Sequence, residues 1–161
     1  MIAAPVPENE VERLAALRRL LLLDTPPEER FDRIVGFAAG EFDVPIALIS
    51  LVDSDRLWLK ARIGLDVCEA PRSTSFCAHA IRSHETMIVP DATLDPRFRD
   101  NPLVTGEPGI RFYAGAPLAL EDGPRLGTLC LLDIRPRTLD ALDLAILGTL
   151  RDLAVGELKT T

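Results

Sequence analysis

Cys77 and His79 stand two residues apart in "SFCAHAI" (Ser75 to Ile81), a thiol and an imidazole of the kinds that hold metal or make a nucleophile with its base. Ser75 suits an N-cap, and Phe76, Cys77, Ala80 and Ile81 fall on one face of a helix. On a helix, positions two apart lie about 200° apart around the axis, so Cys77 and His79 diverge and cannot chelate one ion together. Two readings of Cys77 follow. It is either a small buried hydrophobe with His79 as a polar or hydrogen-bonding flank, or a thiol in a first helical turn. In the second case the helix dipole, with Arg72 close upstream, favours the thiolate, which is reactive if the site is open.

The remaining cysteines, Cys68 and Cys130, make an odd total of three, at spacings that fit neither a zinc ribbon nor a redox CxxC pair. The chain has no HExxH, no GxxxxGK phosphate loop and no GxSxG elbow, and His84 has no second ligand at a useful helical distance. Acid pairs such as Glu28 with Glu29, or Asp152 with Glu157, read as solvated helix faces. No metal or catalytic residue is assigned, and no cofactor is identified.

Composition bounds the reading. At 161 residues, 47% hydrophobic and 27% charged, the chain suits one domain with a full core. A net charge of −7 argues against a nucleic-acid partner, which requires an excess of Lys and Arg to displace counterions. The longest apolar run, "PIALISLV" (Pro45 to Val52), is far too short to cross a bilayer, and "MIAAPVPENEVER" lacks a basic segment followed by an apolar one. A cytoplasmic protein with no membrane partner is expected.

The elements that would position the cysteine are legible from periodicity. Residues 1–8 read as a flexible tail. Val11, Leu14, Leu17, Leu20 and Leu21 form a helical stripe over 9–23, and "DTPPEERFD" offers Thr25 as cap, Pro26 in the first turn and Glu28 as a capping-box partner for a second helix. "PIALISLVD" reads as a central strand buried on both faces. In "RLWLKARIG", Leu57, Leu59, Ala61 and Ile63 alternate with Arg56, Trp58, Lys60 and Arg62, which predicts a strand with unlike faces. Asp66 to Thr74 reads as irregular, followed by the cysteine helix, a strand at Thr86 to Val89 and a long proline-rich loop at Pro90 to Ile110. Strands at Arg111 to Leu118 and Arg125 to Asp133 flank a turn at "EDGP", and a helix over 138–158 closes the chain. Tight turns between neighbouring strands imply an antiparallel sheet and an α+β fold.

From "LAALRRLLLLDTPPEERFDRIVGFAAGEFDVPIALISLVD" through "FCAHAI", "VPDATLDPRFRDNPLVTGEPGIRFYAGAPL" and "LGTLCLLD", the chain resembles a GAF domain of the bacterial type found ahead of histidine kinases and diguanylate cyclases. That resemblance implies a PAS-like fold with a six-stranded antiparallel sheet, terminal helices on one face, and a small-molecule pocket on the other, roofed by the cysteine helix and the long loop. It implies a sensory module in signal transduction, such as a two-component system, with occupancy passed through the terminal helices to an output domain. Only Ile134 to Thr161 follows the last strand, so a kinase or cyclase partner acting in trans, or an excised input module, is expected. Leu22, Leu23, Leu147 and Val155 exceed what one stripe needs, and a homodimer through the terminal helices would bury them.

The expected ligand-binding residues are Trp58, Phe76, Cys77, Phe98 and Tyr113 as walls, with Arg72 and Arg111 to orient an anionic group. Their ordinary alternatives are core packing and surface ion pairs. Cyclic-nucleotide-binding relatives carry an Asn-Lys-Phe-Asp set absent here, and bilin-binding relatives have His directly after the attachment cysteine, where this chain has Ala78. A non-enzymatic sensor is the leading expectation. The alternative is a thiol oxidoreductase of the free methionine-(R)-sulfoxide reductase type using Cys77 and Cys68, although the third thiol of that arrangement has no counterpart between Pro90 and Ile110.

Overall fold

The computed structural model describes every residue except Asp122 and Thr161, so one residue of the expected "EDGP" turn lies outside the described residues. The chain runs through α1 (Glu10–Arg19), α2 (Glu29–Phe42), β1 (Ile46–Val52), β2 (Arg56–Ile63), β3 (Glu69–Pro71), α3 (Cys77–Ala80), β4 (Met87–Val89), α4 (Pro102–Thr105), β5 (Phe112–Ala119), β6 (Arg125–Asp133) and α5 (Ala141–Lys159). Among the described residues six strands form one sheet in the order β3-β2-β1-β6-β5-β4, and every neighbouring pair is antiparallel. The sixth strand, β3, is three residues inside the stretch expected to be irregular.

Each face of the sheet has its own core. On one side α1, α2 and α5 pack Leu17, Phe31, Val35, Leu147 and Leu150 against Ile49, Leu51, Phe112 and Leu129. On the other, α3 and the segment from Val89 to Ile110 cover Leu48, Val52, Tyr113 and Cys130. β1 is therefore buried at all seven positions, which is why its sequence shows no polar alternation. Of the four surplus apolar residues, Leu22 and Leu147 are buried in this chain's own helical core, and Leu23 and Val155 pack against it.

The even alternation expected of β2 is broken. Ser50 faces Leu59 while Ile49 faces Ala61, which leaves Lys60 as the extra residue of a bulge. Leu57 and Leu59 accordingly turn toward α3, whereas Ala61 and Ile63 turn toward the helices. Lys60 is 2% exposed, and its ammonium donates to Thr25 Oγ1 and the Pro26 carbonyl, each at 2.7 Å, and pairs with Glu28 Oε2 at 2.6 Å. The expected capping box is consequently absent. Thr25 and Glu28 serve the buried lysine, and α2 starts at Glu29 without a side-chain cap.

Residues 1–8 have little regular structure, yet they are anchored. The Met1 ammonium pairs with Asp100 at 2.6 Å, and the Ile2 carbonyl meets His79 Nε2 at 2.8 Å.

Candidate functional site

The Cys77 sulfur lies between α3 and the sheet, fully enclosed. α3 is only four residues long. Ser75 fixes its entry: the Ser75 hydroxyl accepts from the Ala78 amide at 3.1 Å and donates to the Arg72 carbonyl at 2.8 Å. Cys77 thereby faces inward onto β1, β5 and β6. Ser50 Oγ and Thr128 Oγ1 each stand 3.2 Å from its sulfur, the Tyr113 hydroxyl 3.3 Å, and Cys130 Sγ 4.0 Å.

The sheet register explains this convergence. Ser50 and Thr128 are directly opposed across β1 and β6, with their oxygens 3.0 Å apart. Tyr113 lies along β5 over Gly115, where any Cβ would strike its ring and hydroxyl. Each hydroxyl carries one proton, so a neutral Cys77 thiol leaves this group competing for donors, whereas a thiolate accepts from all of them. Donation from Cys130, and then from Ser50, Thr128 and Tyr113, holds the Cys77 thiol below its ordinary pKa against the opposing effect of burial. Cys130 is pushed the other way by its bond to Cys77 and by burial, and burial raises Tyr113. The arrangement is a buried dithiol with one sulfur favoured as the anion.

Four of the seven expected site residues gather here. Phe76 stacks on Phe98 with centroids 4.3 Å apart and on Tyr113 at 5.1 Å, and these rings with Cys77, none more than 3% exposed, fill the space between roof and sheet where a ligand pocket was expected: the walls pack against one another as a core. His79 meets Phe98 edge-on. The other three lie elsewhere. Trp58 packs on the helical side beneath the Arg56 guanidinium. Arg72 donates to the Asp53 carbonyl at 2.9 Å and pairs with Glu10 of α1. Arg111 donates to the Val104 and Ile110 carbonyls at 2.9 and 3.1 Å.

Sequence reasoning missed Ser50, Thr128 and Cys130. The available signal was a hydroxyl in each of two strands otherwise apolar enough to be buried on both faces. Cys68 is exposed in a surface groove beside Thr25, Pro26 and Trp58, so the sulfur within reach of Cys77 belongs to Cys130. Among the described residues no cluster of three or more His, Cys, Asp or Glu could hold a metal ion, and no helix is long and apolar enough to cross a membrane.

A second candidate surface lies on the helical side. There a groove of about 520 Å³ runs between α2 and α5, floored by Ile34, Ile146 and Leu150 and edged by Phe37 and Leu153.

The GAF domain family model matches residues 26–158. Over 161 residues the chain is 48% identical to a cyclic di-GMP phosphodiesterase of Pseudomonas aeruginosa, covering 99% of this chain and 27% of that protein. Among solved structures, the GAF domain of an Acinetobacter phosphoenolpyruvate-protein phosphotransferase superposes with TM-score 0.66 at 20% identity, covering 92% of this chain and 94% of the other. A type II free methionine-R-sulfoxide reductase from Thermoplasma acidophilum superposes with TM-score 0.67 at 13% identity, covering 89% and 94%. Likeness at these identities speaks for the fold alone.

These findings correct the expectation of a non-enzymatic protein, because the 48% identical relative is named for an enzymatic activity. A segment that matches about a quarter of an enzyme need not contain the residues of its reaction. The absence of nucleophile and acid–base motifs from these 161 residues therefore does not make the protein non-enzymatic. The named activity is also that of a phosphodiesterase, where a kinase or cyclase was expected.

Proposed function

The chain belongs to the GAF domain family, and from that membership we propose that it is a regulatory, small-molecule-responsive module working with a phosphodiesterase that acts on cyclic di-GMP. The observation that carries this reading is the 48% identity to such an enzyme across 99% of the chain. The geometry supports it in one further respect. The roof over the packed Phe76, Cys77, Phe98 and Tyr113 cluster is tied through Arg72 to Glu10 of α1, so displacement of the roof by a ligand is transmitted to a terminal helix. A ligand enters by displacing the Phe76 and Phe98 rings, which makes binding and roof movement one event.

Two copies pair, in this reading, through the helical layer, where Phe37 is 57% and Leu153 55% exposed. Sedimentation of the wild type against Leu153→Glu tests that part, with a dimer expected for the first and a monomer for the second.

The regulatory reading is tested by cyclic di-GMP hydrolysis, measured with the intact protein carrying this segment and with a phosphodiesterase supplied in trans, alongside native mass spectrometry for bound small molecules. Phe76→Ala is expected to change the hydrolysis rate and to abolish the bound mass. Hydrolysis indifferent to that substitution in both formats, with no bound molecule in the wild type, overturns the reading.

A further inference from the structure

The enclosed sulfur pair invites a use beyond ligand sensing. We propose that Cys77 and Cys130 form a reversible intramolecular disulfide when the folded protein meets hydrogen peroxide, fastening α3 to the central strand β6. The two sulfurs come from positions 53 residues apart and already touch at 4.0 Å, so closing to the disulfide length of about 2.05 Å requires a short inward movement of one four-residue helix. Cys77 is the attacking sulfur, because Ser50, Thr128 and Tyr113 direct their hydroxyls at it and so support its anionic form. Cys130 is the resolving thiol.

The chemistry balances in two steps. The Cys77 thiolate attacks one peroxide oxygen and the O–O bond breaks. Cys77 becomes a sulfenic acid, and the departing hydroxide takes a proton to leave as water. The Cys130 sulfur then displaces the sulfenic oxygen as a second water, forming the S–S bond. In sum, two thiols lose two electrons and one hydrogen peroxide is reduced. Both sulfurs are enclosed, so the oxidant reaches them during openings of the roof.

The full chain, reduced and freed of reductant, is treated with hydrogen peroxide under native conditions, cleared with catalase, then unfolded and alkylated. Arg62, Arg72 and Arg82 place Cys68 and Cys77 in separate tryptic peptides, and Arg125 separates Cys130. Expected is the joint loss of two alkylation sites, a linked Cys77 and Cys130 peptide pair, and recovery of both with dithiothreitol, unchanged in Cys68→Ser. In Cys130→Ser the Cys77 sulfenic acid persists and is captured by dimedone. Full alkylation of Cys77 and Cys130 after Cys68 has been oxidised overturns the proposal, as does a Cys68 to Cys77 linkage, or a Cys77 to Cys130 linkage that forms only when peroxide meets the unfolded chain. The wild-type and Cys68→Ser arms decide the matter even where Cys130→Ser fails to fold.

Discussion

Gly115 lies flat beneath the Tyr113 ring, and this one missing side chain lets the phenol reach the Cys77 sulfur. Gly115→Ala forces a methyl group into that ring and is expected to cost about 1–3 kcal/mol, the usual range for overpacking a tight core, read as a lower urea midpoint. Lys60 gives a second residue-scale prediction. Its ammonium, foremost among the neighbours of Glu28, holds that carboxyl below its ordinary pKa. A carboxyl depressed in the folded state contributes stability above its unfolded pKa and loses it as pH falls through the folded one. Stability is therefore expected to decline as pH drops below about 4.3, with a shallower decline in Glu28→Gln. Because Glu28 is more than a third exposed, solvent screening keeps the effect modest. At this scale the sequence was legible only in part. Cys77 stood out from its neighbours, but the groups that give it character arrive from strands 27, 36 and 51 residues away, and only the pairing register brings them together.

Elements announce themselves when their period is long enough to be heard. The second helix was readable from its start at "DTPPEERFD", and α2 buries Phe31, Ile34, Val35, Ala38 and Phe42 at helical spacing; β1, β5 and β6 were readable too. β3 was not, because its Glu-Ala-Pro sequence holds no apolar run, whereas β4, equally short, is the apolar Met-Ile-Val. The bulge at Lys60 was hidden for another reason: alternation continues in the letters while the backbone slips by one residue. The cap of α5 follows local rules. The Asp140 carboxylate accepts from the Asp143 amide at 2.8 Å, and Asp143 accepts from the Asp140 amide at 3.1 Å. Asp140→Ala is expected to cost about 1 kcal/mol, seen as a lower thermal midpoint with the fold unchanged, because α5 otherwise remains held by Leu147, Leu150, Ala154 and Leu158.

For the molecule as a whole, the order of elements and the motifs along nearly the entire chain make the GAF architecture legible in the sequence itself. The filling of the chamber was not, since it depends on how Phe76, Phe98 and Tyr113 stack rather than on which residues are present. The connection between layers was equally hidden. Glu10 bonds both Arg13, whose side chain is wholly buried and reaches the Val52 carbonyl at 2.6 Å, and Arg72 at the foot of the roof. Glu10→Gln weakens two charge-assisted contacts at once. Amide hydrogen exchange over Ser75 to Arg82 is expected to quicken by roughly tenfold, the factor that about 1.36 kcal/mol represents, while exchange in β1 and β6 stays slow. The sheet also divides the chromophores. The single tryptophan, Trp58, lies on the helical side and the single tyrosine, Tyr113, beneath the roof. Indole fluorescence and the near-ultraviolet dichroism of the phenol thus watch opposite faces of one protein, and events in either layer can be followed in solution without attaching a dye.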